Sequence, residues 1–565
     1  MSATQDYTPS LLHRGASAVP FRCLILAHID PSSDHDELKA PVPVDSDSLE
    51  RTLARIEPTI NIYVDNPLFN ELLGSEGPIE ATLSVKSIND FLPANILSNL
   101  PFLNALSKLL HELSFNLQKP SISFPLSFQS DEGLVQSRAL SNLASREDIE
   151  FLFVALQKAL NSVINSILHD PDWQRLETSW RGIDWLCHQA KEFTNCQLEL
   201  AHYCRDSMFD DVAVGDALES NLFAQMYSNS YGQYGGVPYS ALLVDDYFCS
   251  TGADIDLLKG LTTVAAASHF LVITGGSAKL FGVNHLRELS SVSPLGERLQ
   301  GLRFTKWRSF IASSEASYAA MSLPRVRFRP SYGDQENEVS PGVGLDWFKE
   351  LQGESRDNCL WGNSAFLFLS NLMRSFTNNG LCTAISDDNG GVIRVAQNGA
   401  ELPLEYSLSE AQEIELMGVG LNPLCMRQTD SELVYRTSNS LRWGSIELGK
   451  YRESLDSIAS SRLEYLMIAV RVIHCLRILF RESLGTSDSP EALTTALDGW
   501  LKGFVLDMES PSDELRNSRP LRRAKVSVVH EPQRNWFEVQ VELTPHLKYL
   551  GQDVGLNANV SLQTG

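Results

Sequence analysis

Cysteine and histidine side chains are dense in one stretch of the chain, so a metal site is the first chemistry to consider. Cys187, His188, Cys196, His202 and Cys204 lie within 18 positions. Zinc sites usually use short paired spacings, so that two ligands converge from one turn. Two of these residues are instead direct neighbours on a predicted helix, where adjacent side chains point about 100° apart. The spacing favours core thiols and a surface imidazole, and the sequence predicts no metal and no cofactor.

Motifs for nucleophilic attack and for phosphate binding are incomplete. Ser277 in GGSAKL and Ser445 in WGSIEL lack the second glycine of a nucleophile elbow, G-x-S-x-G. Lys279 follows two glycines, but at the wrong spacing for a phosphate-binding loop, G-x-x-x-x-G-K-[ST]. The glutamates between 401 and 415 indicate a solvated helix face rather than one acid–base pair. The sequence therefore predicts no catalytic centre, and we expect the chain not to be an enzyme.

Tryptophan and arginine recur side by side, as in TSWRGIDW around Trp180 and TKWRSF around Trp307. Both residue types offer a large contact area with a polar end and are enriched at protein interfaces. Burial in the core is at least as good an explanation for any one of them. Together with the missing catalytic motifs, the pattern favours an assembly or binding role.

Strand-like and helix-like patterns alternate along most of the chain. They predict strands at 22–29, 59–64, 80–86, 197–203, 239–244, 269–274, 381–385, 525–529, 537–543 and 558–562. They predict helices at 102–113, 146–168, 172–190, 213–228, 253–267, 363–376, 462–481 and 490–504. This alternation is typical of an α/β fold in which helices flank a mixed sheet.

Composition suggests four parts along the chain. Residues 1–20 are polar with proline and serine and indicate an extended arm, while 21–118 form a small α/β unit. Residues 119–145 are rich in serine and proline and indicate a linker. Residues 146–565 form the large remaining unit.

Charge and cysteine content narrow the partners and the compartment. The 565 residues include 46 Lys+Arg and 70 Asp+Glu, so the formal net charge is −24. Such acidity disfavours nucleic acid and anionic membrane surfaces as partners. Nine cysteines without C-x-x-C spacing fit a reducing cytoplasm better than a disulfide scaffold. The apolar stretch 463–480 contains Glu464, Arg471 and Arg477 and is shorter than the ~20 apolar residues of a membrane span.

Several blocks in one order resemble the large contractile-sheath subunit of bacterial type VI secretion systems, the TssC type. They include HDPDWQRLETSWRGIDWL at 169–186, the YGQYGGVPY region within 221–248, the block at 306–333 and the end of the chain at 537–562. The resemblance covers about 150–565. Its family-motif and interface candidates are Trp180, Arg181, Gly182, Gly235, Gly236, Trp307, Arg308, Pro324, Arg325, Pro545 and His546.

The N-terminal unit resembles the partner of that protein, the small TssB-type sheath subunit. The resemblance lies in 44–68 and 81–113, and its key block is INDFLP at 88–93. Asp90, Phe91 and Pro93 are the candidate residues there. The resemblance implies either a natural fusion of small and large subunits or a large-subunit relative with a small-subunit-like head.

What the resemblance implies is mechanical. Sheath subunits of this type have a contractile tail-sheath fold, stack in rings around an inner tube and contract, so no nucleotide pocket is needed. The implied partners are further copies, other sheath subunits, the inner-tube protein and the baseplate. The disassembly ATPase is a further partner in such systems, but 1–19 lacks the strong apolar helix it grips, which leaves recycling open. Strand exchange is expected from the arm before Arg22 and from the strands at 537–543 and 558–562.

Two other roles remain open on the sequence. A sheath-like paralogue would bind sheath or baseplate subunits, and regulate or initiate the assembly, without forming the main tube. An enzyme would require a measurable turnover that a single pocket substitution abolishes.

Overall fold

The computed structural model describes most of the chain. The described residues are 19–33, 40–75, 77–119, 135, 145–231, 235–333, 345–351, 358–387, 390–394, 403–427, 432–448, 461–483, 490–508, 511–531, 536–546, 548–549, 552–553 and 556–563. Most of the arm predicted at 1–20 and of the linker predicted at 119–145 therefore lies outside the described residues.

Strands and helices alternate, as the sequence predicts. The strands are β1 (Phe21–Ala27), β2 (Val42–Val44), β3 (Thr59–Val64), β4 (Ile79–Ser84), β5 (Cys196–His202), β6 (Tyr239–Phe248), β7 (Leu271–Gly276), β8 (Ala319–Leu323), β9 (Val326–Arg327), β10 (Trp361–Gly362), β11 (Val392–Arg394), β12 (Asn422–Met426), β13 (Glu432–Tyr435), β14 (Leu521–Glu531), β15 (Trp536–Pro545), β16 (Lys548–Tyr549), β17 (Gln552–Asp553) and β18 (Leu556–Gln563). The α-helices used below are α1 (Leu49–Ile56), α2 (Pro67–Leu73), α3 (Pro93–Asn99), α4 (Pro101–Leu117), α5 (Arg146–Leu168), α6 (Pro171–Ala190), α7 (Arg205–Val212), α8 (Gly252–Ser268), α9 (Leu295–Leu299), α10 (Thr305–Ile311), α11 (Ala365–Asn379), α12 (Glu410–Gly418), α13 (Trp443–Leu448), α14 (Leu463–Ser483), α15 (Pro490–Leu501) and α16 (Asp513–Ser518).

A nine-stranded mixed sheet forms the centre of the fold, in the order β11-β13-β12-β8-β7-β6-β1-β5-β2. The strands from β12 to β5 in this order run parallel. At the two ends, β2 is antiparallel to β5, and β13 is antiparallel to both β12 and β11. The predicted mixed sheet flanked by helices is confirmed.

Strand β1 lies inside the parallel block, between β5 and β6. Its sequence FRCLILA is a continuous apolar run, as expected for a parallel strand covered on both faces. Cys23 and Ile25 pack in the core on one face of the sheet, and Leu24 and Leu26 pack in the core on the other. The central sheet therefore contains strands from both of the predicted units, 21–118 and 146–565.

The C-terminal strands form a separate antiparallel sheet in the order β14-β15-β18. Strand β15 lies in the middle and pairs with its neighbours on both sides. Two of the strands predicted as exchange candidates, at 537–543 and 558–562, are thus paired with each other within one chain. The outer edges of this sheet, among the described residues, belong to β14 and β18.

Two predicted elements are wrong. The helix predicted at 213–228 is replaced by a 3-10 turn at Ala217–Glu219 and a short irregular helix that starts at Asn221, while α7 ends before this stretch, at Val212. Side chains of Asp216 and Ser220 cap the new starts and so interrupt a single helix. No strand forms at 381–385, which is described throughout; there the amide of Ala384 donates to Ser375 Oγ at 2.9 Å instead of joining a ladder.

Candidate functional site

Helix α6 lies over the carboxyl ends of the central parallel strands. In the order β5-β1-β6-β7-β8, strand β5 lies on one side of β1, and the later strands β6, β7 and β8 follow on the other side. Ligands of such sheets bind in the crevice at the point where the order switches sides. Here Trp180, fully buried, donates from Nε1 to the carbonyl of Ile29 just after β1, at 3.3 Å. Ser179 Oγ donates to Asp245 on β6 at 2.6 Å. Side chains of α6 therefore line the crevice where such folds usually hold a ligand.

The sequence holds α6 in this position by a cap and a close contact. Asp170 accepts the amides of Asp172 and Trp173, and Pro171 takes the first helical position. At Gly182, an added Cβ would lie 2.7 Å from the ring of Phe366 on α11. Only a glycine lets the two helices approach this closely without displacing that ring.

A buried ion-pair network extends from the same helix. Glu177 on α6 is fully buried and accepts from Arg181 Nε and from Arg329 Nε, both at 2.7 Å. Arg329 donates in turn from Nη1 to Glu350 at 2.7 Å. Its guanidinium also stacks on the ring of Tyr332, 4.1 Å from the centroid, while the amide of Tyr332 donates to Glu350 at 2.8 Å. The charges therefore alternate in sign along the series Arg181, Glu177, Arg329 and Glu350, and their sum is zero.

The network fixes the protonation of its members. Burial alone raises the pKa of Glu177, but Arg329 and Arg181 outweigh it and hold the pKa below its usual range. Burial lowers the pKa of His169, whose ring lies 3.8 Å from Glu350, so the imidazole favours the neutral form. Nearby, burial raises the pKa of Asp245 to about 6. The ion pairs join α6 to the segments that carry Arg329 and Glu350, and so act as a structural clamp.

The same cluster contacts the N-terminal segment. Phe91 is buried and meets Trp173 edge to face, with the ring centroids 5.2 Å apart. The guanidinium of Arg181 lies 6.0 Å from the Phe91 ring. Asp90 accepts the amide of Ser87 at 3.0 Å in a capping box, and Pro93 begins α3. The structure thus brings the predicted block at 88–93 onto the predicted block at 169–186.

The other predicted residues lie apart from this cluster. Trp307 is buried beside Phe310, and Arg308 Nη1 donates to the carbonyls of Leu299 and Gly301, both at 2.7 Å. Arg325, after Pro324, makes a two-bond ion pair with Glu405 at 2.8 and 2.9 Å. Arg308 braces a local turn, whereas the ion pair of Arg325 joins two segments 80 positions apart.

The remaining candidate residues lie in a turn before β6 and at the end of β15, where they shape the backbone. Gly235 adopts a φ of +79°, which favours glycine, in the turn that Gly236 follows before β6. Pro545 pairs with Leu521 at the end of the C-terminal sheet, and the amide of His546 donates to Pro520 at 3.0 Å. A role of any of these residues in contacts between subunits stays a prediction.

Sequence reasoning did not find Glu350 or Arg471. Glu350 lies in an irregular segment with no periodic signal, and its partners Arg329 and Tyr332 lie 21 and 18 positions away. Arg471 is fully buried in α14 and binds the carbonyl of Val19. Its signal was a charge inside an otherwise apolar helix, which the sequence pattern treats only as an argument against a membrane span.

Family models match nearly the whole chain. The VipB model described as EvpB/VC_A0108, tail sheath N-terminal domain, matches residues 151–442. The chain belongs to the VipB family of tail sheath proteins. A second VipB model, the tail sheath gpW/gp25-like domain, matches residues 452–562. A third, described as Type VI secretion system, VipA, VC_A0107 or Hcp2, matches residues 13–122. The resemblances to the large and the small subunit are both confirmed.

Individual relatives agree with the VipB assignment. The type VI secretion system sheath protein TssC1 of Pseudomonas aeruginosa is 26% identical over 444 residues, which are 76% of this chain and 88% of that protein. This VipB-family chain is a structural component of a type VI secretion sheath.

Solved structures show only distant likeness. The sheath tail protein Lin1278 from Listeria innocua covers 97% of both chains at a TM-score of 0.35 and 8% identity. The anti-feeding prophage baseplate structure covers 66% of this chain and 74% of its own at a TM-score of 0.32 and 10% identity. Similarities this distant add nothing to the VipB assignment.

One helix among the described residues, α5, is long and apolar enough to cross a membrane by length and composition alone. Residues 463–480, which the sequence argues against as a membrane span, lie in α14 instead. In the fold, Leu156, Leu160 and Ile164 of α5 pack in the main core. Core helices of globular proteins often have this length and composition.

Proposed function

We propose that this chain is a single-chain sheath protomer, in which the small-subunit-like and large-subunit-like segments fold together. The observation that carries the proposal is the position of β1 inside the central sheet, with Arg22 bound to Glu199 on β5 at 2.7 Å. The contact of Phe91 with Trp173 is a second contact between the two segments and also supports the proposal. A protomer built in this way has its two sheath segments at a fixed one-to-one ratio.

Such protomers stack around an inner tube in the cytoplasm, and contraction of the stack drives the tube outwards. The clamp around Glu177 keeps each protomer rigid, so that contraction moves whole bodies past one another. Strand exchange uses the outer edges of β14 and β18 and the arm that precedes Val19. The work comes from the assembled state, and the chain has no catalytic role.

Electron microscopy of the purified chain, alone and with the inner-tube protein, tests this proposal. We expect rings or tubes in which each subunit accounts for one 62.7 kDa chain. A regulatory or baseplate-bound paralogue would instead bind sheath subunits at a finite ratio and form no polymer. A protein that stays monomeric and binds neither sheath nor baseplate subunits would contradict both roles.

A further inference from the structure

Arg471 connects distant parts of the chain. It is fully buried in α14, and Nη2 donates to the carbonyl of Val19 at 2.6 Å. Nη1 lies 3.3 Å from the carbonyl of Pro20 and 3.2 Å from Ser240 Oγ on β6. The guanidinium also lies 4.7 Å from the ring centroid of Phe376. A buried cation requires such partners, so these bonds fix where the chain enters the central sheet.

Helix α14, which contains Arg471, packs in two separate hydrophobic cores. Leu466 and Val470 pack in the main core beneath the central sheet. Val472 and Leu476 pack in the C-terminal core with residues of β14 and β15. Val19 is 2% exposed and belongs to that C-terminal core as well. The first described residue of the chain and its last sheet therefore share one helix.

We propose that Arg471 couples the N-terminal entry of the fold to the C-terminal sheet β14-β15-β18. A displacement that draws Val19 and Pro20 away from α14 removes two acceptors from a buried guanidinium. The resulting loosening of α14 reaches β14 and β15 through their shared core. The meaning of this coupling rests on the proposed function, in which both chain ends contact neighbouring subunits. A neighbour that pulls on the N-terminal end then alters the sheet that other neighbours bind.

Hydrogen exchange on the unassembled full-length chain measures the coupling directly. Two truncations form a matched pair, because removal of residues 1–18 keeps both acceptor carbonyls and removal of 1–20 deletes them. Arg471→Lys keeps the charge but cannot reach all of the acceptors. Arg462→Lys is the control, since Arg462 directly precedes the same helix but donates to Asn439 at 2.8 Å, away from Val19.

We expect removal of 1–20, and Arg471→Lys, each to speed amide exchange in β14 and β15 by about tenfold, the effect of one lost charged hydrogen bond. Removal of 1–18 and Arg462→Lys should leave those rates unchanged. The two active changes combined should exceed neither alone, because they break the same contact. Unchanged rates in β14 and β15, or effects that multiply, would overturn the proposal.

If Arg471→Lys does not fold, the truncation pair is read beside Val19→Ala, which removes the packing of Val19 in the C-terminal core and keeps both acceptor carbonyls. An effect of Val19→Ala as large as that of removing 1–20 would overturn the proposal. Since no assembly is involved, the result is independent of whether the chain forms a sheath. A chain that forms no tubes but shows the coupled exchange contradicts the proposed function and leaves the coupling intact.

Discussion

Phe91 and Trp173 pack edge to face at a centroid distance of 5.2 Å, although they belong to segments that match two different sheath families. Arg181 lies over the same phenylalanine ring and binds Glu177. The aromatic contact and the contact of the Arg181 guanidinium with the Phe91 ring therefore join the small-subunit-like segment to helix α6.

Arg181→Ala should destabilise the fold strongly. The change leaves the fully buried Glu177 with one cation instead of two, and breaking a buried ion pair typically costs about 3 kcal/mol. Urea unfolding of the variant measures the loss. Arg146→Ala is the control, because Arg146 forms an exposed pair with Glu150 that contributes about 0.5 kcal/mol. Equal effects of the two substitutions would show that the buried network does not stabilise the fold.

Asp245→Asn should stabilise the protein at neutral pH. Burial raises the pKa of Asp245 to about 6, so between about pH 4 and 6 the folded chain holds a proton that the unfolded chain has lost. The parent therefore loses about 3 kcal/mol from this group as the pH rises through that window. Asparagine still accepts from Ser179 and does not titrate. Urea midpoints from pH 4 to 7 measure both proteins, and parallel pH profiles would contradict the prediction.

Glu177→Gln should lower the free energy of unfolding at neutral pH, which is the opposite of the effect expected for Asp245→Asn. The lowered pKa of Glu177 gives stability that is present above its unfolded pKa and is lost as the pH falls through the folded pKa. The variant should be less stable than the parent at pH 7 and lose less on acidification below about pH 4. Acid unfolding followed by circular dichroism measures this slope. A variant as stable as the parent at pH 7 would rule out the role of the clamp.

Gly182→Ala should cost about 1–3 kcal/mol, because its new methyl group overlaps the ring of Phe366. The smaller side chain in Phe366→Leu should recover part of that loss when the two substitutions are combined. Thermal unfolding of the single and double variants gives the coupling. Strictly additive effects would mean that the close approach of α6 and α11 is not what requires the glycine.

Removal of residues 550–565 should abolish assembly and leave the central sheet folded. The truncation takes away β18 and exposes one whole side of β15. Sedimentation of assembled particles measures the first effect, and thermal unfolding of the remaining body measures the second. Asn557→Ala, a single change within β18, serves as the control. Normal tubes from the truncated chain would exclude this sheet from subunit contacts.

The sequence predicts the regular elements well because their periodicity is local. The bounds of β3 and α5 match their predictions. Failures occur where burial has no period, as in the loop at 381–385, whose apolar side chains pack without forming a ladder. The partners of Arg471 and Glu350 are set by tertiary folding, and no local pattern encodes a contact across 452 positions.

Helical reconstruction of particles formed by the purified chain with its inner-tube protein tests the central claim most directly. The single-chain protomer predicts a tube whose repeating unit is one chain. In the density, β1 should pair with β5 and β6 of the same chain. Particles that require a separate small sheath subunit in the position of β1, or a chain that forms no particles under any condition, would contradict it.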